Sequence, residues 1–188
     1  MTSIYFAGPD VFRPDAIEHF NAVRVHAKNL GFECLIPLDA EIRGAPDDDP
    51  EAFSGKIFES NCKMIRSADF ILANMQPFRG HEPDSGTLFE IGMAYALGKE
   101  VILYEINANQ NMKDRLIANG EPVQRLAHSF VDRNGMTVEN FRLPFNLMAY
   151  HAAGKTVCGT VFDAIDHLAL AMKNEAAARG SLARQVLK

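Results

Sequence analysis

Along the first half of the chain, short and continuously apolar runs alternate with stretches whose apolar residues recur at helical spacing. The continuous runs predict four buried strands, which read SIYFA, FECLIPL, DFILANM and VILYEI. The stretches between them predict three helices: AIEHFNAVRVHAKNL, a segment from about Phe53 to Ser67, and TLFEIGMAYALG. Continuously apolar strands that alternate with helices are typical of a parallel sheet covered on both faces. The pattern therefore predicts one α/β domain with a doubly wound, Rossmann-like or flavodoxin-like parallel sheet sandwiched by helices.

The first predicted helix shows the helical spacing clearly. Its apolar stripe consists of Ile17, Phe20, Val23, Ala27 and Leu30. Gly31 follows at the position where a helix C-terminal cap belongs. Two polar loops rich in proline and glycine, EIRGAPDDDPEAFSGK and QPFRGHEPDSG, follow the second and third predicted strands. Loops of this kind lie at the surface and often carry functional residues.

The pattern weakens after Ile106. The segment from Asn107 to Phe145 predicts mostly loop, with short helices and an edge strand. A final amphipathic helix is predicted for VFDAIDHLALAMKNEAAAR. Because the chain contains no repeat and no long linker, we expect one domain over residues 1–175 and a fraying C-terminal tail over residues 176–188.

Composition and charge narrow the possible partners. The chain has 188 residues, 47% of them hydrophobic, and a net charge of -5. These values fit a folded domain. Since no basic run is longer than a dipeptide, we expect no binding to nucleic acid. The three cysteines are widely spaced, without a CxxC pair or a His/Cys cluster, and they predict reduced thiols and no metal site.

We expect a cytoplasmic protein, because the sequence shows no pattern of a membrane span or of a signal peptide. No apolar run approaches the ~20 residues that a bilayer span needs. The chain begins with the strand-like IYFAGP rather than with the basic and apolar regions of a signal peptide. We therefore expect no interaction with membranes.

The predicted helix TLFEIGMAYALG contains a single charged residue, Glu90. Apolar residues cover nearly the whole circumference of this helix, which predicts that it is buried between neighbours. An unpaired buried carboxylate costs several kcal/mol, so Glu90 has either a partner or a chemical role. The structural alternative is a glutamate that reaches solvent or pairs with a distant Lys or Arg. Its place in the second helical turn, after the third strand, favours an ionised carboxylate that faces a ligand.

A second carboxyl group, Asp84, lies just upstream in HEPDSG. Its simplest interpretation is a helix N-cap. Ser85 can serve as the cap instead, which would free Asp84 to face the same crevice as Glu90. Two neighbouring carboxyl groups, one that attacks and one that handles a proton, are the usual arrangement for cleaving a glycosidic bond.

In these segments the sequence resembles the nucleoside 2-deoxyribosyltransferases, most closely their protozoan-type branch. The resemblance covers roughly residues 3–150, and four segments carry it in the right order: IYFAGPDVF, CLIPLD, PFRGHEPDSGTLFEIGMAYALGK and LPFNLMAY. The third segment together with LPFNLM is specific to that family.

The resemblance implies three catalytic residues. Glu90 is expected to attack C1′ of the deoxyribose, and Asp84 to contact the base and handle its proton. Tyr5, on the first strand, is expected to orient the nucleophile. A phenol hydroxyl at this place can hold the carboxylate in one rotamer and keep it ionised. No metal and no organic cofactor is implied.

The resemblance also implies substrate-binding residues. Asn146 and Met148 are expected to reach the sugar 5′-hydroxyl from a neighbouring subunit, which predicts a homodimer or higher homo-oligomer with shared active sites. Phe12 is expected to flank the base. The glycines of the same motifs, Gly8 and Gly86, are expected at the substrate as well.

Two further positions differ from the bacterial members of the family. Glu41 matches a glutamine that contacts the base in those members. Asn61 stands where they have an aspartate, and its spacing from Ile57 and Ile65 predicts that it faces inward. An amide can orient a sugar or a nucleophile by hydrogen bonding, but it cannot hold a charge.

The expected activity is the transfer of a 2-deoxyribosyl group between nucleobases during nucleoside salvage. It would proceed by a retaining double displacement, with 2′-deoxynucleosides and free nucleobases as small-molecule partners. One alternative is an N-glycosidase on the same scaffold, which cleaves nucleosides or deoxynucleotides with water as acceptor. The other is a nucleotide-binding module without catalytic activity.

Overall fold

The computed structural model describes residues 1–39, 49–107 and 110–186, with side chains described as far as residue 179. Five strands form the central sheet: β1 (Thr2–Ala7), β2 (Phe32–Leu35), β3 (Phe70–Asn74), β4 (Glu100–Tyr104) and β8 (Lys155–Thr156). Their order is β2-β1-β3-β4-β8, and all neighbours pair in parallel. This order is flavodoxin-like, with the topological switch point between β1 and β3. The predicted doubly wound α/β fold is confirmed.

Helices cover both faces of the sheet. They are α1 (Ala16–Asn29), α2 (Pro50–Ser67), α3 (Ser85–Ala96), α4 (Met112–Ala118), α5 (Leu147–Ala152) and α6 (Val161–Val186). α2 begins before the predicted Phe53, because Asp49 accepts from the backbone N–H of Ala52 at 3.0 Å and Pro50 occupies the first turn. α1 ends where Gly31 adopts a φ of +89°, as a helix-terminating glycine should.

The hydrophobic core has two halves, because successive strand residues point to opposite faces of a sheet. On one face, Ile4 and Phe6 pack with residues of α1 and α6. On the other face, Tyr5 and Ala7 pack with residues of α2, α3 and α5. The alternation along β1 therefore places Tyr5 on the face that is covered by α3, the helix that carries Glu90.

Three local predictions differ from the structure. A fifth parallel strand, β8, pairs with β4. Its two residues are exposed, so no apolar run marks it in the sequence. Ile17 is 71% exposed, and Ala16 is the buried residue at the start of α1. The strand β2 is shorter than FECLIPL and lies at the sheet edge, so it is half exposed.

The segment between β4 and α5 contains more regular structure than a loop. It holds α4 and a small antiparallel sheet of β5 (Gln124–Arg125), β6 (Phe130–Val131) and β7 (Thr137–Val138). Strands of two residues are too short to show alternation in the sequence. The final helix also continues past the predicted end of the domain, to Val186.

The prediction that α3 is buried on all sides is wrong. Phe89 is 53% exposed and Tyr95 is 63% exposed. Phe89 contacts Phe58 of α2, with ring centroids 5.7 Å apart, beside a groove of about 750 Å³ between the two helices. The exposed rings of Phe58 and Phe89 form an apolar patch of the kind that is typical of an interaction surface.

None of the described helices combines the length and the hydropathy that a bilayer span requires. No group of three His, Cys, Asp or Glu side chains in the described ranges is placed to hold a metal ion. Cys34, Cys62 and Cys158 are free thiols.

Candidate active site

Tyr5 and Glu90 are joined by a short hydrogen bond across the interface of β1 and α3. The Tyr5 hydroxyl donates to Glu90 Oε1 at 2.5 Å. Burial, and then the charge of Glu90, raise the pKa of the Tyr5 phenol, so it stays protonated and acts as the donor. The partner of Glu90 is therefore a buried hydroxyl, and no Lys or Arg of the described residues forms an ion pair with it.

Burial controls the protonation of Glu90. It raises the pKa of the Glu90 carboxyl group from its ordinary value to about 7. The hydrogen bond from Tyr5 lowers this pKa, and the negative charge of Asp84 raises it, but both effects are smaller than that of burial. The hydrogen bond from Tyr5 therefore favours the ionised carboxylate, but burial outweighs it and raises the Glu90 pKa overall.

Asp84 is the N-cap of α3. Its Oδ2 accepts from the backbone N–H of Thr87 at 2.9 Å and from the Thr87 hydroxyl at 3.1 Å. The alternative in which Ser85 caps the helix is wrong: Ser85 is the first helical residue. The negative charge of Asp84 raises the Glu90 pKa, so the two carboxyl groups lie close enough to interact. The cap therefore fixes one oxygen of Asp84 and does not remove the residue from the site.

Gly86 lies between these two carboxyl groups in the chain. A Cβ added at Gly86 would lie 3.0 Å from Asp84 Oδ2. That distance is shorter than an ordinary van der Waals contact, so a side chain at this position would displace the capping carboxylate of Asp84. The structure thus explains the glycine by its closeness to Asp84, and a direct contact of Gly86 with substrate stays a prediction.

Phe12 lies beside the loop that leads to Asp84. Its ring stacks on Phe78 with centroids 5.3 Å apart and an angle of 13° between the planes. The guanidinium carbon of Arg79 is 4.6 Å from the Phe78 centroid and 5.3 Å from the Phe12 centroid. The Phe12 side chain is largely exposed. Next to it, residues 78–85 and Met112 line a cleft of about 470 Å³. An aromatic ring at such a cleft can stack on a flat base.

A buried polar cluster, which the sequence did not reveal, lies beneath the turn that follows β1. Asp10 Oδ2 accepts from Asn74 Nδ2 at 2.8 Å and from the Tyr104 hydroxyl at 2.9 Å. Gly8 has a φ of +150°, and a Cβ there would be 2.6 Å from Asn74 Cβ. Gly8 therefore allows β1 and β3 to approach each other, and its contact with substrate stays a prediction. The polar residues at the ends of these strands were the signal that could have revealed the cluster.

Of the two positions that differ from the bacterial members, the structure describes Asn61 but not Glu41. Asn61 is half-buried on α2, as predicted, and its Oδ1 is buried with no hydrogen-bond partner among the described residues. A buried acceptor without a partner is uncommon, and it leaves Asn61 free to bind a polar group of a ligand. Glu41 lies outside the described residues, so its predicted contact with the base stays a prediction.

Asn146 and Met148 lie at the start of α5, away from Glu90. Asn146 Oδ1 accepts from the backbone N–H of Met148 at 2.9 Å and caps the helix. Both residues line a groove of about 390 Å³ against α3. The α3 residues in that groove are Leu88, Ile91, Gly92 and Tyr95. At 3.6 residues per turn they lie roughly 100° to 160° around the helix from Glu90. Within one chain, α3 therefore stands between Asn146 and the Glu90 carboxyl group.

The fold and the site together define a class of protein. Tyr5 and α3 meet at the switch point of a flavodoxin-like sheet, where open α/β folds bind ligands. The carboxyl groups of Glu90 and Asp84 interact electrostatically at that point, and paired carboxyl groups are typical of enzymes that act on glycosidic bonds. A family model described as Nucleoside 2-deoxyribosyltransferase matches residues 4–148. The chain belongs to this family of enzymes, and the resemblance carried by its motifs is confirmed.

Known proteins similar to this chain agree with the family. A 2-desoxiribosyltransferase from Leishmania mexicana is 35% identical, with a TM-score of 0.67, and the match covers 90% of this chain and 97% of that one. A conserved protein from Enterococcus faecalis V583 is 21% identical with a TM-score of 0.55, over 89% of this chain and 98% of that one, and it supports the fold alone. An uncharacterized protein of Schizosaccharomyces pombe, C191.05c, is 35% identical over 98 residues, which are 51% of this chain. The match spans about half of that curated relative, 46% of its length.

Proposed function

We propose that this protein transfers a 2-deoxyribosyl group between nucleobases by a retaining double displacement through a covalent deoxyribosyl-Glu90 intermediate. The observation that carries the proposal is the Tyr5–Glu90 hydrogen bond of 2.5 Å at the sheet switch point. A carboxyl group held in one position by a neutral donor is suited to attack on an acetal-like carbon. Membership of the nucleoside 2-deoxyribosyltransferase family supports the same reaction.

In the first half-reaction, an oxygen of ionised Glu90 forms a bond to C1′ as the bond from C1′ to the base nitrogen breaks. The electron pair of that broken bond stays on the base. Asp84, directly or through water, relays to the base a proton that comes from solvent, because the Asp84 carboxyl group is itself ionised. Because Oδ2 of Asp84 is held by Thr87, we assign proton delivery to Oδ1.

In the second half-reaction, a nitrogen of the incoming base attacks C1′ and displaces the Glu90 carboxylate. Asp84 accepts the proton that the incoming base loses and passes it to solvent, so the enzyme returns to its starting state. Two displacements at C1′ give overall retention. The Tyr5 hydroxyl remains hydrogen-bonded to the Glu90 carboxyl group and fixes its orientation.

The proposal includes a homo-oligomer with shared active sites. Asn146 and Met148 lie on the side of α3 away from Glu90, so Asn146 reaches the sugar 5′-hydroxyl from a neighbouring subunit. Met148, 72% exposed, and the exposed rings of Phe89 and Tyr95 are available to a second copy of the chain. Sedimentation equilibrium should therefore give at least a dimer. A monomer at the concentration at which the enzyme works would contradict this part of the proposal.

The substrates are 2′-deoxynucleosides and free nucleobases, and the reaction serves nucleoside salvage in the cytoplasm. Deoxyinosine and adenine provide the test. We expect hypoxanthine and deoxyadenosine to appear together, and we expect neither with a Glu90→Ala variant. Hypoxanthine without deoxyadenosine would make the protein an N-glycosidase. Binding of deoxyinosine without any product would make it a nucleotide-binding module.

A further inference from the structure

A buried arginine links the two loops that carry the predicted functional residues Asp84 and Asn146. Arg115, on α4, is 5% exposed. Its Nη1 donates to the carbonyl oxygen of His81 at 2.9 Å, and its Nη2 donates to that of Pro144 at 2.5 Å. The first carbonyl belongs to the Asp84 loop (residues 76–84), and the second belongs to the Asn146 loop (residues 143–146).

Each bonded carbonyl is close in the chain to a residue of the proposed site. His81 is three residues before Asp84, and Pro144 is two residues before Asn146. The Asp84 loop is closed on itself by a bridge between Pro77 and Pro83. A displacement of its His81 end is therefore passed on to the N-cap of α3.

Further contacts strengthen the link. The backbone N–H of Met112, at the start of α4, donates to the carbonyl oxygen of Leu143 at 3.3 Å. Glu82, in the Asp84 loop, is near enough to Arg115 for its negative charge to raise the pKa of the guanidinium, although burial lowers that pKa overall. Burial raises the pKa of Glu82, which the charge of Arg115 and the backbone N–H of Asn146 lower. Glu82 therefore lies beside both Arg115 and the Asn146 loop.

We propose that Arg115 is a positioning residue that holds the Asp84 loop and the Asn146 loop in a fixed position relative to each other. One guanidinium thereby positions residues of two active sites. The inference rests on the proposed function, because Asp84 serves the site of its own chain while Asn146 serves the site of a neighbour. A planar guanidinium can donate to two carbonyls in fixed directions, which an ammonium group cannot do equally well. Nη1 and Nη2 of this buried guanidinium are bonded to the two carbonyls, whereas its buried Nε has no hydrogen-bond partner among the described residues.

Single substitutions give the first test. For Arg115→Met we expect kcat/KM with deoxyinosine and adenine to fall about 100-fold, because misplacement of positioned groups by about 1 Å has effects of that size. Arg115→Lys should recover part of the loss, since it restores the charge and one carbonyl contact. The matched control is Lys99→Met. Lys99 also donates to two backbone carbonyls, of Arg66 and Ala68, at 2.8 and 2.6 Å. It directly precedes β4, whereas Arg115 lies on α4, which follows β4.

The control separates positioning from general stability. Both methionine variants should lower the melting temperature, while Lys99→Met should leave kcat and KM within about twofold of wild type. If folded Arg115→Met has normal kcat and KM, the inference is wrong. Arg115→Lys provides the same comparison if Arg115→Met does not fold.

Mixed oligomers give the second test. A wild-type subunit is co-purified, by two different tags, with an inactive Glu90→Ala subunit, so that the working site combines the wild-type Glu90 with the Asn146 of the inactive chain. Adding Arg115→Met to the inactive chain should raise the KM for deoxyinosine about tenfold at the wild-type site. Adding Asn146→Ala to the inactive chain, as a control, should raise it as well.

The outcomes of the mixed oligomers distinguish the two claims. If Asn146→Ala raises KM and Arg115→Met does not, the shared site stands and the inference about Arg115 is overturned. If neither change in the inactive chain has an effect, the contribution of Asn146 across subunits is wrong, and the double role of Arg115 fails with it. Raised KM values in both oligomers support the inference.

Discussion

The starts of α3 and α5 are built alike but face different parts of the molecule. Asp84 caps α3 by accepting from the backbone N–H of Thr87, and Asn146 caps α5 by accepting from that of Met148. Asp84 lies beside Glu90 in the same chain. Asn146 lies behind α3, in a groove that also contains the exposed Tyr95. Under the proposed function, one chain assembles the groups for bond cleavage, whereas recognition of the sugar requires a second copy.

Each cap also separates a structural role from a chemical one. Aspartate and asparagine are similar helix N-caps, but aspartate alone carries a charge and asparagine alone carries an amide donor. Exchanging one for the other keeps the helix start and changes the chemistry.

Removal of the Glu90 carboxylate should have the largest effect. For Glu90→Gln we expect the rate of base exchange to fall by about 10³-fold or more, because an amide cannot act as the nucleophile. In oligomers that mix this variant with Asn146→Asp subunits, the active site should have the wild-type KM, since it combines an intact Glu90 with an intact Asn146. A KM as high as that of Asn146→Asp alone, in oligomers shown to be mixed, would mean that α3 and α5 serve the site of a single chain.

Asp84→Asn should reduce kcat by about 100-fold, a typical contribution of a proton-transfer group. The melting temperature should stay near that of wild type, because asparagine maintains the cap. Asp84→Ala should lose activity to the same extent and should also lower the free energy of unfolding by about 1 kcal/mol. Urea denaturation and steady-state kinetics measure the two effects. Unchanged activity in Asp84→Asn would limit this residue to its capping role.

Tyr5→Phe should change the pH dependence of the reaction. With the Glu90 pKa at about 7, kcat/KM should rise as the pH increases through that value, because the ionised carboxylate attacks. The hydrogen bond from Tyr5 lowers this pKa, so its loss should move the rise to higher pH and reduce kcat about tenfold. Tyr104→Phe is the matched control, since it removes another buried hydroxyl that donates to Asp10. A Tyr5→Phe profile that coincides with the Tyr104→Phe profile would contradict the assigned role of Tyr5.

Asn146→Asp should have the smallest effect of these. We expect the KM for a 2′-deoxynucleoside to rise roughly fivefold with little change in kcat, as for the loss of one hydrogen bond to substrate. The melting temperature should be unchanged because aspartate maintains the α5 cap. With a 2′,5′-dideoxynucleoside, which lacks the 5′-hydroxyl, the variant and the wild type should have the same KM. A difference that persists with that substrate would mean that Asn146 does not recognise the 5′-hydroxyl.

The features that followed from the sequence are those with a strong local pattern. A single carboxyl group in an apolar helix identified Glu90, and the motifs linked it to Tyr5, which the structure places 2.5 Å away. The alternation of apolar runs and helices predicted the fold correctly. In each case the residue types and their spacing in the sequence were enough to predict the feature on physical grounds.

Other features depend on the folded chain. Hydropathy alone could not show that Phe89 and Tyr95 face outward on α3, since an apolar side chain has the same hydropathy whether it is buried or exposed. Asp84 and Ser85 are both good caps, and the choice between them depends on the path of the preceding loop. Arg115 lies in a segment without clear periodicity, so its two carbonyl partners, 34 and 29 residues away in sequence, gave no signal.

Trapping the intermediate tests the central claim most directly. The enzyme is mixed with deoxyinosine in the absence of an acceptor base, quenched in acid within milliseconds and digested for mass spectrometry. We expect a deoxyribosyl adduct on Glu90, formed together with one equivalent of hypoxanthine and removed when adenine is added before the quench. Base exchange at the normal rate with no adduct on Glu90, or with inversion at C1′, would contradict the account.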